Sequence, residues 1–274
     1  MRESIGIVVD ATSVHAVLLD AHAPEFGPID RRSDTSIFDV GFDSVVEAAT
    51  VMIRRARHIG LGPRITGVVS PDTKISSALA ATLHPHGTGI VTLVSVTDAR
   101  IAYIQSMPEL QDTRTAIVFT AEGEDVLAMS IDLRTRGVHH AYRYPATYIG
   151  NEAAEAILDE LSRGLPWGRK TLVTLGIGAV LKNRLANLAG DRRIDTVSPF
   201  DARWTLAIGA SIVAAEQSVV RVEVPGPRPR RRGDSPRSAP DRHSHRARSG
   251  RKRTHSVWSI VNRSARERRI GDRS

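Results

Sequence analysis

Ile5-Gly6-Ile7-Val8-Val9-Asp10-Ala11-Thr12-Ser13, resumed at Ala16-Val17-Leu18-Leu19, sets the frame for the whole chain. Two short apolar runs with a turn-forming cluster between them predict a β-hairpin. A third, weaker strand is expected at residues 36–40, beyond a loop carrying Pro24, Gly27 and Pro28. A helix should follow, because Val45, Ala48, Ala49, Met52 and Ala56 share one face. Ser44 and Glu47 have the spacing of a capping box, and Gly60 can stop the helix. Next come a strand at 65–69, a helix at 72–83, a strand at 90–94 and a helix at 97–106. From residue 116 the same order begins again. Strands are expected at 116–120, 126–131 and 138–144, then a helix at 152–161 with Asn151 as cap and Gly164 as stop. A strand at 172–175, a helix at 179–189 stopped by Gly190, a strand at 195–197 and a helix at 202–216 capped by Asp201 complete it.

Both halves therefore read β-β-β-α-β-α-β-α, which predicts a duplicated α/β fold with two largely parallel sheets covered by helices. The expected divisions are 1–112 for the first half, 113–218 for the second and 219–274 for a tail. Ligands of open α/β sheets sit at the carboxyl ends of the strands, so a cleft between the halves is the expected site.

Composition narrows the function classes. The chain has 274 residues, 41% hydrophobic, and no cysteine, which excludes disulfides, thiolate metal sites and a cysteine nucleophile. No stretch approaches the ~18 consecutive apolar residues of a membrane span, and no secretory leader is read at Met1-Arg2-Glu3-Ser4. The net charge of +8 is unevenly placed: residues 225–274 hold sixteen Lys/Arg against four Asp/Glu, which leaves the first 224 residues at −4. Partners inferred from basicity belong to the tail alone.

The duplicated order resembles the actin-like ATPase superfamily, with ribonuclease-H-like halves. Local motifs are most similar to the ATPase domain of the seventy-kilodalton heat-shock chaperones. Ile5–Thr12 with Ala16–Asp20 resembles its first phosphate hairpin, and Ala116–Thr120 with Ser130-Ile131-Asp132 the second. Thr92–Ser95 through Asp98-Ala99-Arg100-Ile101-Ala102-Tyr103 resembles the strand and helix that end the first half. Thr171–Gly176 resembles the adenosine strand, and Asp201–Trp204 with Ala207-Ile208-Gly209-Ala210 the closing helix. At this length the extra subdomains of the chaperones must be missing. Short divergent proteins of this type occur in actinobacteria, and the preference for Arg over Lys (34 against 4) suits a GC-rich genome.

The resemblance implies ATP or ADP with Mg²⁺ as cofactor, held near Asp10, Thr12, Ser13, Glu122, Gly123, Gly176 and Gly178. The catalytic residues of the family do not carry over. Its first hairpin places an aspartate and a glycine where this chain has Val8 and Asp10. The second places a glycine-rich run where this chain has Thr120-Ala121-Glu122-Gly123-Glu124-Asp125. Phosphate loops work through backbone N–H groups in neutral or positive surroundings. Carboxylates set against a triphosphate at about 4 Å would cost ~4 kcal/mol each at an effective dielectric of ~20. The expectation is a pseudo-ATPase acting as a binding or scaffold protein for an unidentified protein partner, with no catalytic residue and no resident metal. A second reading keeps a working nucleotide switch or weak Mg-ATPase with its acids moved two positions, to Asp10 and Glu122. Against it, acids at strand-to-turn corners commonly bond their own backbone.

His84-Pro85-His86 and His139-His140 lack further ligands at metal spacing and read as polar loop residues. The Pro-, Arg- and Ser-rich tail cannot bury enough surface to fold. Near its end Val257, Trp258, Ile260 and Val261 among Arg263, Arg266, Arg268 and Arg269 could form a basic amphipathic helix. This gives a third reading, a cytoplasmic adaptor peripheral to the inner membrane face, with non-specific nucleic-acid binding as the other use of such a tail.

Overall fold

A run of seven residues with almost no polar side chains, Glu3–Val9, is strand β1, and it is buried along its whole length after Glu3. The structure is a computed structural model and describes residues 3–10, 13–35, 42–70, 83, 89–199 and 202–222. β1 lies at the centre of a five-stranded sheet with β2 (Ser13–Asp20), β3 (Asp30–Thr35), β4 (Ile65–Val69) and β5 (Ile90–Leu93), in the order β3-β2-β1-β4-β5. β1 pairs antiparallel with β2 and parallel with β4. A second sheet repeats this arrangement. Its strands β6 (Thr115–Glu122), β7 (Asp125–Asp132), β8 (Gly137–Pro145), β9 (Lys170–Leu175) and β10 (Asp195–Val197) take the order β8-β7-β6-β9-β10. β6 is antiparallel to β7 and parallel to β9, as β1 is to its neighbours. The two sheets are duplicated α/β units, as the order of elements in the sequence predicts, but each is mixed rather than largely parallel: two of its four strand pairings are antiparallel, because its first three strands form a meander.

Side-chain alternation along each central strand gives each sheet two apolar faces. On one face of the first sheet Ile5, Ile7 and Val9 meet α1 (Phe42–His58) through Ala48, Ala49, Met52 and Ala56. On one face of the second, Ile117 and Phe119 meet α3 (Asn151–Ser162) and α4 (Ala179–Asp191) through Leu158, Leu161 and Leu185. The inner faces are covered by exchange. α5 (Thr205–Val222), which ends the second half, packs Ala207, Ala210 and Val213 on Val8, Val17 and Val69 of the first sheet. α2 (Val96–Gln105), which ends the first half, packs Ile101 and Ile104 on Ala116, Val118 and Ile131 of the second. The two helices also pack on each other, and Ser4 of β1 bonds Ser211 of α5, Oγ to Oγ, at 2.5 Å.

This crossing is a backbone-to-backbone contact. A Cβ on Gly6 would sit 1.8 Å from the Ala207 carbonyl oxygen, one on Gly67 2.1 Å from that of Ala210, and one on Gly209 1.7 Å from that of Ala99. No side chain larger than hydrogen fits at these three points.

Several local expectations are corrected. The third strand is Asp30–Thr35, not residues 36–40, which lie outside the described residues. It has no apolar period because it is an edge strand held by charge: Arg55 of α1 bonds Asp30 at 2.8 Å, and Arg32 pairs with Asp34 and with Glu47 of α1. Ser44 is the third residue of α1 and Glu47 is spent on Arg32, so no capping box forms. Asn151 is the first helical residue of α3, and Gly150 occupies the cap without a side-chain bond. Gly190 lies inside the last turn of α4, which runs on to Asp191. The helix at 72–83 (except Leu83), the cap Asp201 and the tail from 223 lie outside the described residues.

Asp132 closes the turn between β7 and β8. Its Oδ1 accepts the backbone N–H groups of Thr135 and Arg134, each at 2.9 Å, and these bonds hold the carboxyl below the usual carboxylate range against the opposing effect of burial. A depressed folded-state pKa contributes stability above the unfolded value of about 3.9 and loses it as pH falls through the folded value. Asp132→Asn should therefore be less stable than wild type by about 1 kcal/mol at neutral pH, with the gap closing in acid. Urea titrations across that range test this, and a gap that does not change with pH would contradict it.

Candidate functional site

The carboxyl ends of β1, β6 and β9 converge on a cleft of about 350 Å³ between the sheets. Val8 and Asp10 enter it from β1 and the turn after it, two residues apart and hence on one side. Thr120 and Ala121 enter from β6, and Leu175 and Gly176 from β9. Arg100 from α2 lines it on one side, and Arg203, in the 3-10 turn Ala202–Trp204, and Thr205, the first residue of α5, line it on another. That side is stiffened by Trp204, which is buried edge-on against His15 (centroids 5.4 Å apart) and lies beneath the Arg31 guanidinium at 5.9 Å.

Arg100 dominates the electrostatics. It is only 3% exposed, and its Nη2 donates to Glu122 Oε1 at 2.6 Å, across from the first half to the second. Arg143 of β8 donates to the other oxygen, Oε2. Both lone-pair faces of the Glu122 carboxylate are thus occupied by guanidinium groups, in the charge-assisted geometry that makes such pairs strong. A second nitrogen of Arg100, Nη1, is buried and has no partner; neither has the buried Thr205 Oγ1.

The residues expected to form the site are only partly brought together. Asp10 lines the cleft mouth but is exposed, and its contacts are local: its N–H donates to the Ser13 carbonyl at 2.9 Å, and Ser13 Oγ approaches its Oδ2 at 3.5 Å. That is the behaviour of a turn former. Ser13 also meets His15 Nε2 at 3.3 Å, and Thr12 lies outside the described residues. Gly123 takes φ +63° at the β6–β7 tip, as a tight hairpin turn requires. Gly176 lines the cleft with φ +67°, whereas Gly178 is the exposed cap of α4 and does not line it. Ser95 caps α2 by accepting the Asp98 N–H at 3.0 Å. Sequence reasoning missed Arg100, Arg143 and Thr205. The one available signal was an arginine inside the otherwise apolar stretch Ala99–Ala102.

A magnesium triphosphate, which the fold family implies, does not fit these side chains. A hard cation needs free carboxylate oxygens. Glu122 is held by two arginines, and Asp10 serves its own turn. Among the described residues no group of three or more His, Asp or Glu could hold a metal ion.

The fold has clear relatives among solved structures. A ROK hexokinase from Thermus thermophilus superposes with a TM-score of 0.56 at 11% identity, covering 80% of this chain and 99% of that one. A ROK family glucokinase from Streptomyces griseus, solved with glucose and AMPPNP, gives 0.52 at 10% identity over 78% and 99%. Component A of the (R)-2-hydroxyglutaryl-CoA dehydratase from Acidaminococcus fermentans gives 0.52 at 8% over 80% and 100%. At these identities the likeness is one of fold, and it is the actin-like ATPase fold. No curated protein matches the sequence. A family pattern does match residues 4–223, and the chain belongs to that family, DUF7159, a family of unknown function.

Proposed function

We propose that this chain uses the actin-like fold as a binding protein and does not hydrolyse ATP. The observation that carries this is the double grip of Arg100 and Arg143 on Glu122, at the hairpin tip where a hydrolase of this architecture would face its phosphates. Freeing the carboxylate for a metal would strand the buried Arg100 charge, and breaking a buried pair in that way costs about 3–5 kcal/mol. The same grip weighs against the relocated-acid reading, which needs Glu122 and Asp10 to share a cation. Within the fold, the hairpin and helix motifs favour the chaperone-like branch as the source of this pseudo-enzyme.

Purified full-length protein with millimolar Mg-ATP should release phosphate no faster than the buffer blank. Steady Mg-dependent turnover that Asp10→Asn abolishes would overturn the proposal in favour of the switch. Among the described residues no helix is long and apolar enough to cross a membrane. A peripheral cytoplasmic role, with the basic tail on an acidic surface, is the proposal that flotation on anionic vesicles, with and without residues 250–274, tests.

A further inference from the structure

Trp167 is 96% exposed, in the turn that leads from α3 into β9. An indole left in water forfeits the gain of burying it, and Trp is among the residue types enriched where proteins bind. Its backbone is nonetheless held. The Trp167 carbonyl accepts a bond from Arg114 Nη1 at 3.3 Å, and Gly168, at φ +141°, lies so close to the Arg114 side chain that an added Cβ would stand 3.2 Å from it. A fixed turn therefore presents the ring, at the end of the second sheet opposite the cleft. Arg163, Arg169, Lys170 and Arg114 surround it, against Asp132 and Asp195, which pair with Arg114 and Arg169. Asp132 is buried, and its Oδ1 is spent on turn amides. The four connections at this end, 106–114, 133–136, 163–169 and 192–194, hold seven arginines against Glu109 and Asp112. Acids of α5 and α3 match Arg136 and Arg192, and the other five still outnumber the two. Since the first 224 residues carry −4 as a whole, positive charge is gathered where the tryptophan stands.

The corresponding end of the first sheet shows Phe26, 86% exposed, in the turn after β2, and Pro24 of that turn lines one groove with Arg136 of the second half. α5 leaves the fold at this end too. It runs back along β1, with Ala207 against Gly6 and Ser211 bonded to Ser4, and Val222 lies eleven residues, about 16 Å, further on. The sixteen Lys/Arg of residues 225–274 follow it in sequence.

From this we infer that the strand-amino end of the second sheet rests on an anionic lipid surface, with the Trp167 indole at headgroup level. A single indole ringed by cations suits that interface, where the ring enters the acyl boundary and the arginines meet lipid phosphates. A protein hot spot would ask for an apolar patch around the ring, and no other large apolar side chain in these four connections is exposed. A platform for single-stranded nucleic acid stacks successive bases on several aromatic rings, and these connections have one. An inserted side chain together with basic charge is the pair of signals that a reversible membrane contact needs.

This inference rests on the peripheral reading and extends it from the tail to the folded domain, yet the two fail separately. The test uses full-length protein with Trp258→Phe, in which Trp167 is the exposed indole and Trp204 the buried one. It is mixed with vesicles of phosphatidylcholine alone, or of phosphatidylcholine and phosphatidylserine at three to one. On the mixed vesicles the fluorescence should move to shorter wavelength and lose most of its quenching by acrylamide, and phosphatidylcholine alone should change neither. Adding Trp167→Ala, which unpacks nothing because the ring is exposed, should leave the melting temperature unchanged and weaken binding to the mixed vesicles about tenfold. Arg163→Ser should weaken it about fivefold, as expected for one charge near an anionic surface. Equal binding with and without Trp167 would overturn the inference and leave the tail as the membrane contact. Binding that depends on Trp167 and survives deletion of residues 250–274 would support it and end the tail reading. A shift produced by single-stranded oligothymidine but not by vesicles, an equal shift on phosphatidylcholine alone, or no binding at all would also overturn it.

Discussion

Gly209→Ala should lower the melting temperature by about 10 °C, while Gly190→Ala leaves it unchanged or raises it slightly. The added methyl at 209 would lie 1.7 Å from the carbonyl oxygen of Ala99 and 2.5 Å from its carbon, both backbone atoms of α2. No rotamer change relieves such a clash. The helices must separate, and each is tied elsewhere, α2 to the second sheet through Ile101 and Ile104, α5 to the first through Ala207 and Ala210. Overpacking of this kind costs roughly 3 kcal/mol or more, and a domain of this size loses about 2–4 °C per kcal/mol. Gly190 lies in a helix with nothing within 4 Å of its added Cβ, so alanine there brings only its better helix propensity. Scanning calorimetry of the two variants decides the matter. Equal melting temperatures would mean that α2 and α5 do not cross at backbone distance.

The second large effect concerns the exchanged helices. Residues 1–112 and 113–222, each expressed alone, should show no cooperative melt, and mixing them should restore one. Without α5 the first sheet leaves Val8, Val17, Leu19 and Val69 bare, and without α2 the second exposes Ala116, Val118, Met129 and Ile131. Burying one large apolar side chain contributes about 1.5–3 kcal/mol, so either face amounts to most of the 5–15 kcal/mol by which a domain is stable. Circular dichroism melts of each fragment and of the mixture are sufficient. A sharp transition from either fragment by itself would refute the exchange as a stability requirement.

The duplication was legible because central strands buried on both faces, such as Ile5–Val9 and Ala116–Thr120, are continuous apolar runs, and because α1 and α3 carry a clean apolar stripe. β3 was illegible for the opposite reason: Asp30-Arg31-Arg32-Ser33-Asp34-Thr35 is stabilised by ion pairs to α1, and no local apolar period records them. The site divides in the same way. Asp10, Glu122, Gly123 and Gly176 stand at turns that the strand pattern locates, so the sequence places them. What each carboxylate does depends on which cation reaches it. Arg100 and Arg143 reach Glu122 from twenty-two and twenty-one residues away, and nothing in the local pattern announces either.

The contact between Ser4 and Ser211 joins residues 207 positions apart. On a ribosome the first sheet is fully synthesised once Leu93 emerges, but the helix that covers its inner face ends at Val222. At 5–20 residues per second that delay is on the order of 10 s, during which Val8, Val17, Leu19 and Val69 face water or whatever binds them. Long-range closure also slows folding itself. The nascent chain is thus a natural client for holding chaperones, and its yield in a cell should depend on them more than its finished stability suggests.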